Sequence, residues 1–260
     1  MRIVVVDTET TGMKDTDQVL ELALVSWQYG PGGKVHNEDR WSALIRPTCP
    51  VSIGARAVHH ISDEMLEDKW TFDEMMHQRG LPEINQLGDD QKFDDYTRDD
   101  VVFAAHNLAY DAKMIKQSLG GVDVLPEKRI CTWQCAKHLY PDSEDGYSNQ
   151  VLRYYLELKV PEITSLPPHR ALPDAVVTAA LLQHMLRSKT PEELIKLTTT
   201  PVNLALKKVK FGKYKGMFWK DLPSDYLDWI IRQGDFDEDG RHTARVVRSG
   251  RRQPLLQPRE

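Results

Sequence analysis

Two carboxylates stand one residue apart near the start of the chain, directly after an apolar run. The segment reads RIVVVDTETTGM, and Asp7 and Glu9 follow the apolar residues Ile3–Val6. Because side chains alternate between the two faces of a strand, Asp7 and Glu9 point the same way and Thr8 points opposite. Neighbouring carboxylates repel unless a cation lies between them, and oxygen ligands suit Mg²⁺ or Mn²⁺. This pair alone leaves a solvated strand end as the alternative.

Further side chains with metal-ligating chemistry follow later in the chain. Asp111 lies on the first turn of a predicted helix, directly after the apolar strand Val101–Ala105. His169 falls in a loop, and Asp174 lies near the start of the next predicted helix, where the helix dipole favours an anion. Four carboxylates and a histidine at strand ends and helix starts fit a two-metal phosphoryl-transfer site. Histidine exchanges protons near neutral pH, so His169 is the candidate for activating the attacking water.

The pattern of apolar residues predicts a mixed α/β fold. Apolar runs predict strands at Ile3–Asp7, Val19–Tyr29 and Val35–Ile45, which form an antiparallel meander with a GPGG turn between the last two. Later elements are predicted as a strand at Val101–Ala105, a helix around Ala109–Leu119, a strand at Arg129–Thr132 that runs into a helix through Leu139, a helix capped near Ser148 and a helix at Ala171–Arg187. Thr71 and Glu74 have capping-box spacing. A meander followed by alternating strands and helices is typical of layered α/β folds.

The bulk composition excludes several classes of protein. The 260 residues are 40% apolar and 28% charged, and no apolar run is long enough for a signal sequence or a membrane span. We therefore expect a cytoplasmic protein without membrane contact. The three cysteines, Cys49, Cys131 and Cys135, are too few and too unevenly spaced for a disulfide framework or a zinc site.

Charge is distributed unevenly along the chain. Residues 1–200 hold 21 Lys and Arg against 31 Asp and Glu, whereas residues 201–260 hold 13 against 8. A metal-dependent enzyme acting on a polyanion could have this asymmetry, although simple scatter would also produce it. We predict a catalytic domain over residues 1–190, a small basic module over 191–250 and a tail over 251–260. A polar acidic stretch at Asp89–Asp100 is predicted to be a surface insertion or loop.

The basic module combines lysines with aromatic residues in the segment LKKVKFGKYKGMFWKDLPSDYLDWIIRQ. Because lysine contacts to phosphates release counterions, such a segment supplies affinity for nucleic acid without sequence specificity. We expect Lys213 and Lys215 to contact nucleic acid, with a solvated face as the alternative. Phe211 and Trp219 are expected in the core of the module.

Three motifs, DxE, HNxxYD and HxxxxD, occur in this order and together resemble the DEDDh exonuclease superfamily. The resemblance implies a ribonuclease H-like fold, a mixed five-stranded sheet flanked by helices. It also implies removal of nucleotides from 3′ ends with two Mg²⁺ ions, for which Mn²⁺ can substitute. Carried over to this sequence, the metal ligands are Asp7, Glu9, Asp111 and Asp174, and the general base is His169.

A more detailed resemblance is to the bacterial exodeoxyribonuclease X group. It is carried by the segments ICTWQCAKHLYP, YSNQVLRYYLELKV and FGKYKGMFWKDLPSDYLDWI. The chain departs from that group in the stretch Asp89–Asp100, at Met217 and in the tail after Arg245. The resemblance implies a substrate of DNA 3′ ends and a product of nucleoside 5′-monophosphates. An exoribonuclease acting on RNA, a catalytically inactive nucleic-acid-binding module and a polymerase proofreading subunit are the alternatives.

Several residues near the motifs are predicted to contact substrate. They are Thr8, Thr10, Gly12, Met13, His59 and Asn107. Backbone amides around Gly12 could meet the terminal sugar and Met13 the last base, since base stacking tolerates any sequence. The alternatives are packing within the turn for Met13, local capping for His59 and orientation of the Asp111 turn for Asn107. The sequence carries no signal for an oligomeric state.

Overall fold

The computed structural model describes residues 1–79, 101–160 and 169–250, with side chains as far as Met75 in the first range. The predicted acidic stretch and the tail at 251–260 lie outside these ranges. The chain divides into two compact units, Met1–Thr198 and Thr199–Glu260. None of the helices in the described ranges has the length and apolar character that crossing a bilayer requires.

The first unit is built on a mixed sheet. Its strands are β1 (Arg2–Thr10), β2 (Val19–Tyr29), β3 (Val35–Leu44), β4 (Val101–Ala105) and β5 (Arg129–Cys131). In the five-stranded order β3-β2-β1-β4-β5, the first three strands pair antiparallel, and β4 and β5 run parallel to β1. The predicted mixed sheet of a meander plus parallel strands is thereby confirmed.

Helices cover the sheet and complete the second unit. They are α1 (Ile53–His59), α2 (Phe72–Arg79), α3 (Leu108–Ser118), α4 (Thr132–Leu139), α5 (Asn149–Tyr155), α6 (Ala171–Met185), α7 (Pro191–Thr199), α8 (Ser224–Arg232) and α9 (Glu238–Gly250). Helix α6 packs on the sheet face that contains Ile3 and Val5, whereas α3 packs on the face that contains Val4 and Val6. The sheet therefore separates two apolar cores.

Helix ends follow the predicted capping chemistry. The Thr71 hydroxyl accepts a hydrogen bond from the Glu74 backbone N–H at 3.2 Å, and the Glu74 carboxylate accepts one from the Thr71 N–H at 2.8 Å. Ser148 caps α5 by accepting a hydrogen bond from the Val151 N–H. The capping box and the Ser148 cap are both confirmed.

The end of β1 and the division between the two units differ from prediction for physical reasons. Strand β1 continues past Asp7 to Thr10 because its pairing with β2 extends as far as Val19. The units divide after Thr198 rather than after residue 190, because α7 belongs to the first unit. Leu194 of this helix is fully buried in the α6 core, and the Thr198 hydroxyl accepts a hydrogen bond from the Cys131 N–H at 2.8 Å.

The second unit has a small apolar core of its own. Its buried residues are Val209, Trp219, Leu222, Leu227, Ile230 and Ala244. Trp219 is 3% exposed, as expected of a core residue, whereas Phe211 is 37% exposed at the edge of this core. The Phe211 ring still packs edge-to-face against Phe236 at a centroid distance of 5.3 Å.

Candidate active site

Strand β1 carries Asp7 and Glu9 beyond the end of its parallel neighbour. The pairing of β1 with β4 ends at Val5 with Ala104, while the pairing with β2 continues. By strand alternation Asp7 and Glu9 continue the face of Val5, which lies in the α6 core. The two carboxylates therefore sit where the apolar core gives way to the end of the sheet.

Helix α6 brings a third carboxylate to this position. Asp174 lies in the first turn of α6, and α6 packs on β1 and β2. One carboxylate oxygen from each of Asp7, Glu9 and Asp174 can be chosen so that all three lie within 4.8 Å of one another. Three oxygen donors at this spacing can share one cation.

Asp111 approaches from the opposite layer. It is 4% exposed, lies in the first turn of α3 and accepts a hydrogen bond from the Thr8 hydroxyl at 2.8 Å. Its negative charge acts on Asp7 and raises the pKa of that carboxyl. The four predicted carboxylates thus reach one end of β1 from both faces of the sheet.

Burial and mutual repulsion perturb the carboxyl groups. Burial raises the pKa of Asp7 well above its usual range, and the charges of Asp111 and Asp174 add to this effect. Burial, followed by the charge of Asp174, raises the pKa of Glu9 to about 8, and burial raises the pKa of Asp111 to about 7. A divalent cation would relieve this repulsion, and an all-oxygen donor set fits a hard cation. The residues therefore fit a divalent metal.

His169 lies next to this cluster. It is exposed, immediately precedes the N-cap of α6 and has a φ of +58°, in the left-handed region. Burial raises the pKa of Asp174, and the charge of His169 opposes that shift, so the imidazole and the carboxylate are electrostatic neighbours. His169 is therefore an exposed neighbour of Asp174.

Thr8 and Thr10 are predicted to contact substrate, but the structure shows that their hydroxyls form hydrogen bonds within the protein. Thr8 is 8% exposed and bonds Asp111, and Thr10 is 7% exposed. The Thr10 hydroxyl donates to the Gly12 carbonyl at 2.8 Å and lies 2.7 Å from the Tyr110 hydroxyl. Strand alternation explains this difference, because even-numbered residues of β1 face the α3 layer.

The turn after β1 is shaped by Asp17. The Asp17 carboxylate accepts hydrogen bonds from the Lys14 N–H at 2.6 Å and from the Thr11 hydroxyl at 3.1 Å. A Cβ at Gly12 would lie 2.5 Å from this carboxylate, so a larger residue there would force the Asp17 side chain out of its present position. Met13 is 80% exposed, which does not match packing within the turn.

Of the other residues predicted to contact substrate, one is buried and the rest are exposed. His59 is 2% exposed at the end of α1, and its Nδ1 accepts a hydrogen bond from the Ile61 N–H at 3.0 Å, a local cap. Asn107 is exposed at the N-cap of α3 with a φ of +65°, and its side chain makes no capping bond. Lys213 and Lys215 are exposed in the second unit.

Sequence reasoning missed Glu21 and Arg170. Glu21 is 4% exposed, and its carboxylate accepts two hydrogen bonds from the Arg170 guanidinium, at 2.6 and 2.9 Å. A lone carboxylate in the apolar strand VLELALVSW was the signal that could have revealed it, since a buried charge needs a partner.

Comparison with known proteins agrees with this arrangement. The sequence model of the family described as "Exonuclease" matches residues 4–182, and that of the family "Putative quorum-sensing-regulated virulence factor" matches residues 198–240. Exodeoxyribonuclease 10 of Escherichia coli (strain K12) is 30% identical over 237 residues, covering 89% of this chain and 91% of that protein. DNA polymerase III PolC-type of Thermotoga maritima is 32% identical over 182 residues, covering 68% of this chain and 11% of that protein.

Solved structures show the same likeness. A structure described as exonuclease X in complex with 5′ overhanging duplex DNA aligns with a TM-score of 0.51 and 30% identity, covering 75% of this chain and 99% of that one. E. coli exonuclease I in complex with a dT13 oligonucleotide aligns with a TM-score of 0.55, covering 90% of this chain and 60% of that one. At 12% identity, the second likeness shows the fold alone.

The mixed five-stranded sheet, with carboxylates clustered at one end, is a ribonuclease H-like fold of the kind found in nucleases. The match over residues 4–182 and the 30% identity to Exodeoxyribonuclease 10 show that the chain belongs to the exonuclease family, in its DEDDh branch. The exonuclease domain predicted from the three motifs is confirmed. Exonucleases of this branch use divalent metals, in agreement with the carboxylate cluster.

Proposed function

We propose that the protein is a Mg²⁺-dependent 3′→5′ exodeoxyribonuclease that releases nucleoside 5′-monophosphates. The observation that carries this proposal is the meeting of Asp7, Glu9 and Asp174 within 4.8 Å, in a chain of the exonuclease family. The substrate class is supported by the 30% identity to Exodeoxyribonuclease 10 and by the DNA bound in the exonuclease X structure.

The proposed metal-binding carboxylates come from both layers of the sheet. Asp7, Glu9 and Asp174 approach from the α6 side and Asp111 from the α3 side, and these four carboxylates would hold two Mg²⁺ ions, or Mn²⁺ in their place. Bound there, the ions supply Lewis-acid charge to the attacking and leaving oxygens of an in-line displacement. Ionised forms of the carboxyl groups hold the metals, so protons must leave Glu9 and Asp111 when metal binds.

His169 acts as the general base. Its imidazole lies beside Asp174, on the exposed side of the cluster where water and a chain end can enter. The ring takes a proton from the attacking water as the phosphodiester bond is cleaved.

The substrate is held by groups that carry no sequence preference. The exposed Met13 side chain packs on the terminal base, the backbone from Thr10 to Gly12 meets the terminal sugar, and the exposed Asn107 side chain meets a phosphate. Lys213 and Lys215 add phosphate contacts from the second unit, which serves as a basic nucleic-acid-binding module.

Parallel digestion of 5′-labelled DNA and RNA oligomers of one sequence tests the proposal. With Mg²⁺, we expect DNA to shorten one nucleotide at a time from the 3′ end. The rate with RNA should be lower than the rate with DNA by about tenfold or more. EDTA and Asp174→Asn should both stop the reaction, whereas exposed Glu67→Gln, the matched carboxyl control, should not. Faster digestion of RNA would make the protein an exoribonuclease, and no chelator-sensitive release from either polymer would overturn the enzyme assignment.

A further inference from the structure

A partly buried ion pair joins β2 to the start of α6. The Arg170 guanidinium donates to the Glu21 carboxylate through Nη2 at 2.6 Å and through Nε at 2.9 Å. The side chain of Glu21 is 5% exposed and that of Arg170 is 26% exposed. Bidentate pairs of this kind fix the geometry of both partners, because two parallel hydrogen bonds restrict rotation as well as distance.

The same carboxylate also caps the helix. Oε2 of Glu21 accepts a hydrogen bond at 2.9 Å from the backbone N–H of Ala171, the first residue of α6. Arg170, at the N-cap position, provides no side-chain cap of its own. The exposed N–H groups of a helix start attract a negative charge. Glu21 therefore supplies from a neighbouring strand the cap that α6 lacks.

Stability alone does not explain this pair. Glu21 lies directly opposite Glu9 in the β1–β2 register, on the same face of the sheet, and like charges placed this way destabilise a sheet. Replacing a buried ion pair by apolar side chains is often neutral or stabilising. The pair therefore places a further carboxylate opposite Glu9 where the start of α6 meets the sheet, and its contribution to stability is not a sufficient reason for it.

We propose that the Glu21–Arg170 pair fixes the first turn of α6, and with it Asp174, against the carboxylates of β1. Asp174 lies four residues after Arg170, and its backbone N–H donates to the Arg170 carbonyl at 3.3 Å. His169 is bonded directly to Arg170, so the pair also sets the position of the general base. Glu21 and Arg170 are positioning residues, since neither is a metal ligand. The inference rests on the proposed function, in which Asp174 binds metal.

Mn²⁺ affinity, measured by isothermal titration calorimetry without substrate, tests this role. We expect Glu21→Gln and Arg170→Gln each to weaken Mn²⁺ binding by about tenfold or more, as partners that orient metal ligands do. Arg170→Lys, which keeps the charge but loses the fork, should fall between these variants and the wild type. The double variant Glu21→Gln/Arg170→Gln should be no worse than the weaker single variant, because paired residues are not additive.

Arg129→Lys is the matched control. The Arg129 side chain is also 26% exposed, and its guanidinium holds Asp123 at 3.0 Å and the Pro126 carbonyl at 2.6 Å. The Arg129→Lys variant should have a Mn²⁺ affinity within about twofold of the wild type. Circular dichroism of each variant must show the native fold, and Arg170→Lys provides the mildest change if the glutamine variants unfold.

The outcomes separate the two proposals. Wild-type Mn²⁺ affinity in folded Arg170→Lys and Glu21→Gln, or an equal loss in Arg129→Lys, would overturn the positioning role while leaving the nuclease assignment intact. A wild-type protein that neither binds Mn²⁺ nor digests DNA would overturn the proposed function itself. Losses confined to the pair, with kcat falling and KM for the oligonucleotide unchanged, would support the inference.

Discussion

The hydroxyl of Thr8 donates a hydrogen bond to the carboxylate of Asp111 at 2.8 Å, across 103 residues of sequence. This contact joins the two layers of the site, because Thr8 faces α3 while Asp7 and Glu9, on either side of it, face α6. One strand therefore presents two of the proposed metal ligands on one face and orients a further carboxylate from the other.

Thr8→Val should lower kcat by about tenfold, because Asp111 loses the bond that orients it. It should also lower the free energy of unfolding by about 1–3 kcal/mol, the cost of removing a buried bond to a carboxyl group. Thr8→Ser keeps the hydroxyl and should retain most of the activity. Steady-state kinetics and urea unfolding of both variants measure these effects. Equal activity in the two variants would show that the bond has no role in catalysis.

The metal-free protein should lose stability as pH rises. Burial raises the pKa of Glu9 to about 8 and that of Asp111 to about 7, so these carboxyls bind protons more tightly folded than unfolded. Their contribution to stability is complete below the unfolded pKa of about 4 and is lost as pH rises through the folded values. We expect the melting temperature in EDTA to fall between pH 5 and pH 8.5.

Two controls identify the source of that decline. Glu9→Gln removes one of the raised carboxyls and should flatten the curve, whereas exposed Glu67→Gln should not change its slope. Adding Mn²⁺ at pH 8.5 should restore the melting temperature, since metal replaces the lost protons. A melting temperature in EDTA that does not change with pH would contradict the buried, mutually repelling carboxyls.

His169→Ala should lower kcat by about 10²–10⁴-fold, the usual contribution of a general base. Binding of DNA should change little, because the imidazole acts on water rather than on the chain. Single-turnover kinetics and fluorescence anisotropy with a labelled oligomer separate the two quantities, and exposed His36→Ala serves as the control. Weaker DNA binding with unchanged kcat would assign His169 to substrate binding instead.

The lysines of the second unit should act through salt-dependent affinity. Lys213→Ala and Lys215→Ala should each reduce the slope of log affinity against log salt by about 1, without lowering kcat at saturating DNA. Lys34→Ala and Lys159→Ala, at exposed positions in the first unit, are the matched controls. If all four variants keep the wild-type slope, Lys213 and Lys215 do not contact the phosphates.

Much of the fold could be predicted because its strands are apolar runs with distinct ends. The prediction fails where tertiary contacts determine the end of an element or the unit to which it belongs. The end of β1 depends on pairing with β2, and the assignment of α7 to the first unit depends on the burial of Leu194. Neither contact leaves a local pattern in the sequence.

The meeting of the carboxylates could be predicted from the sequence, whereas the residues that support them could not. Asp7, Glu9 and Asp174 meet as the motifs indicated, because element ends at one end of a sheet lie close together. The roles of Glu21 and Thr8 depend on which distant residue each faces, which only the register and helix packing determine. The sequence does not distinguish a threonine hydroxyl that contacts substrate from one that bonds a site carboxylate, as Thr8 bonds Asp111.

The most direct test of the metal-dependent mechanism is a crystal of the protein soaked in Mn²⁺, examined by anomalous diffraction. We predict two peaks about 3.5–4 Å apart, both within coordination distance of Asp7 and enclosed by Glu9, Asp111 and Asp174. A protein that digests DNA under the same conditions but shows no anomalous peak at Asp7 would contradict the account.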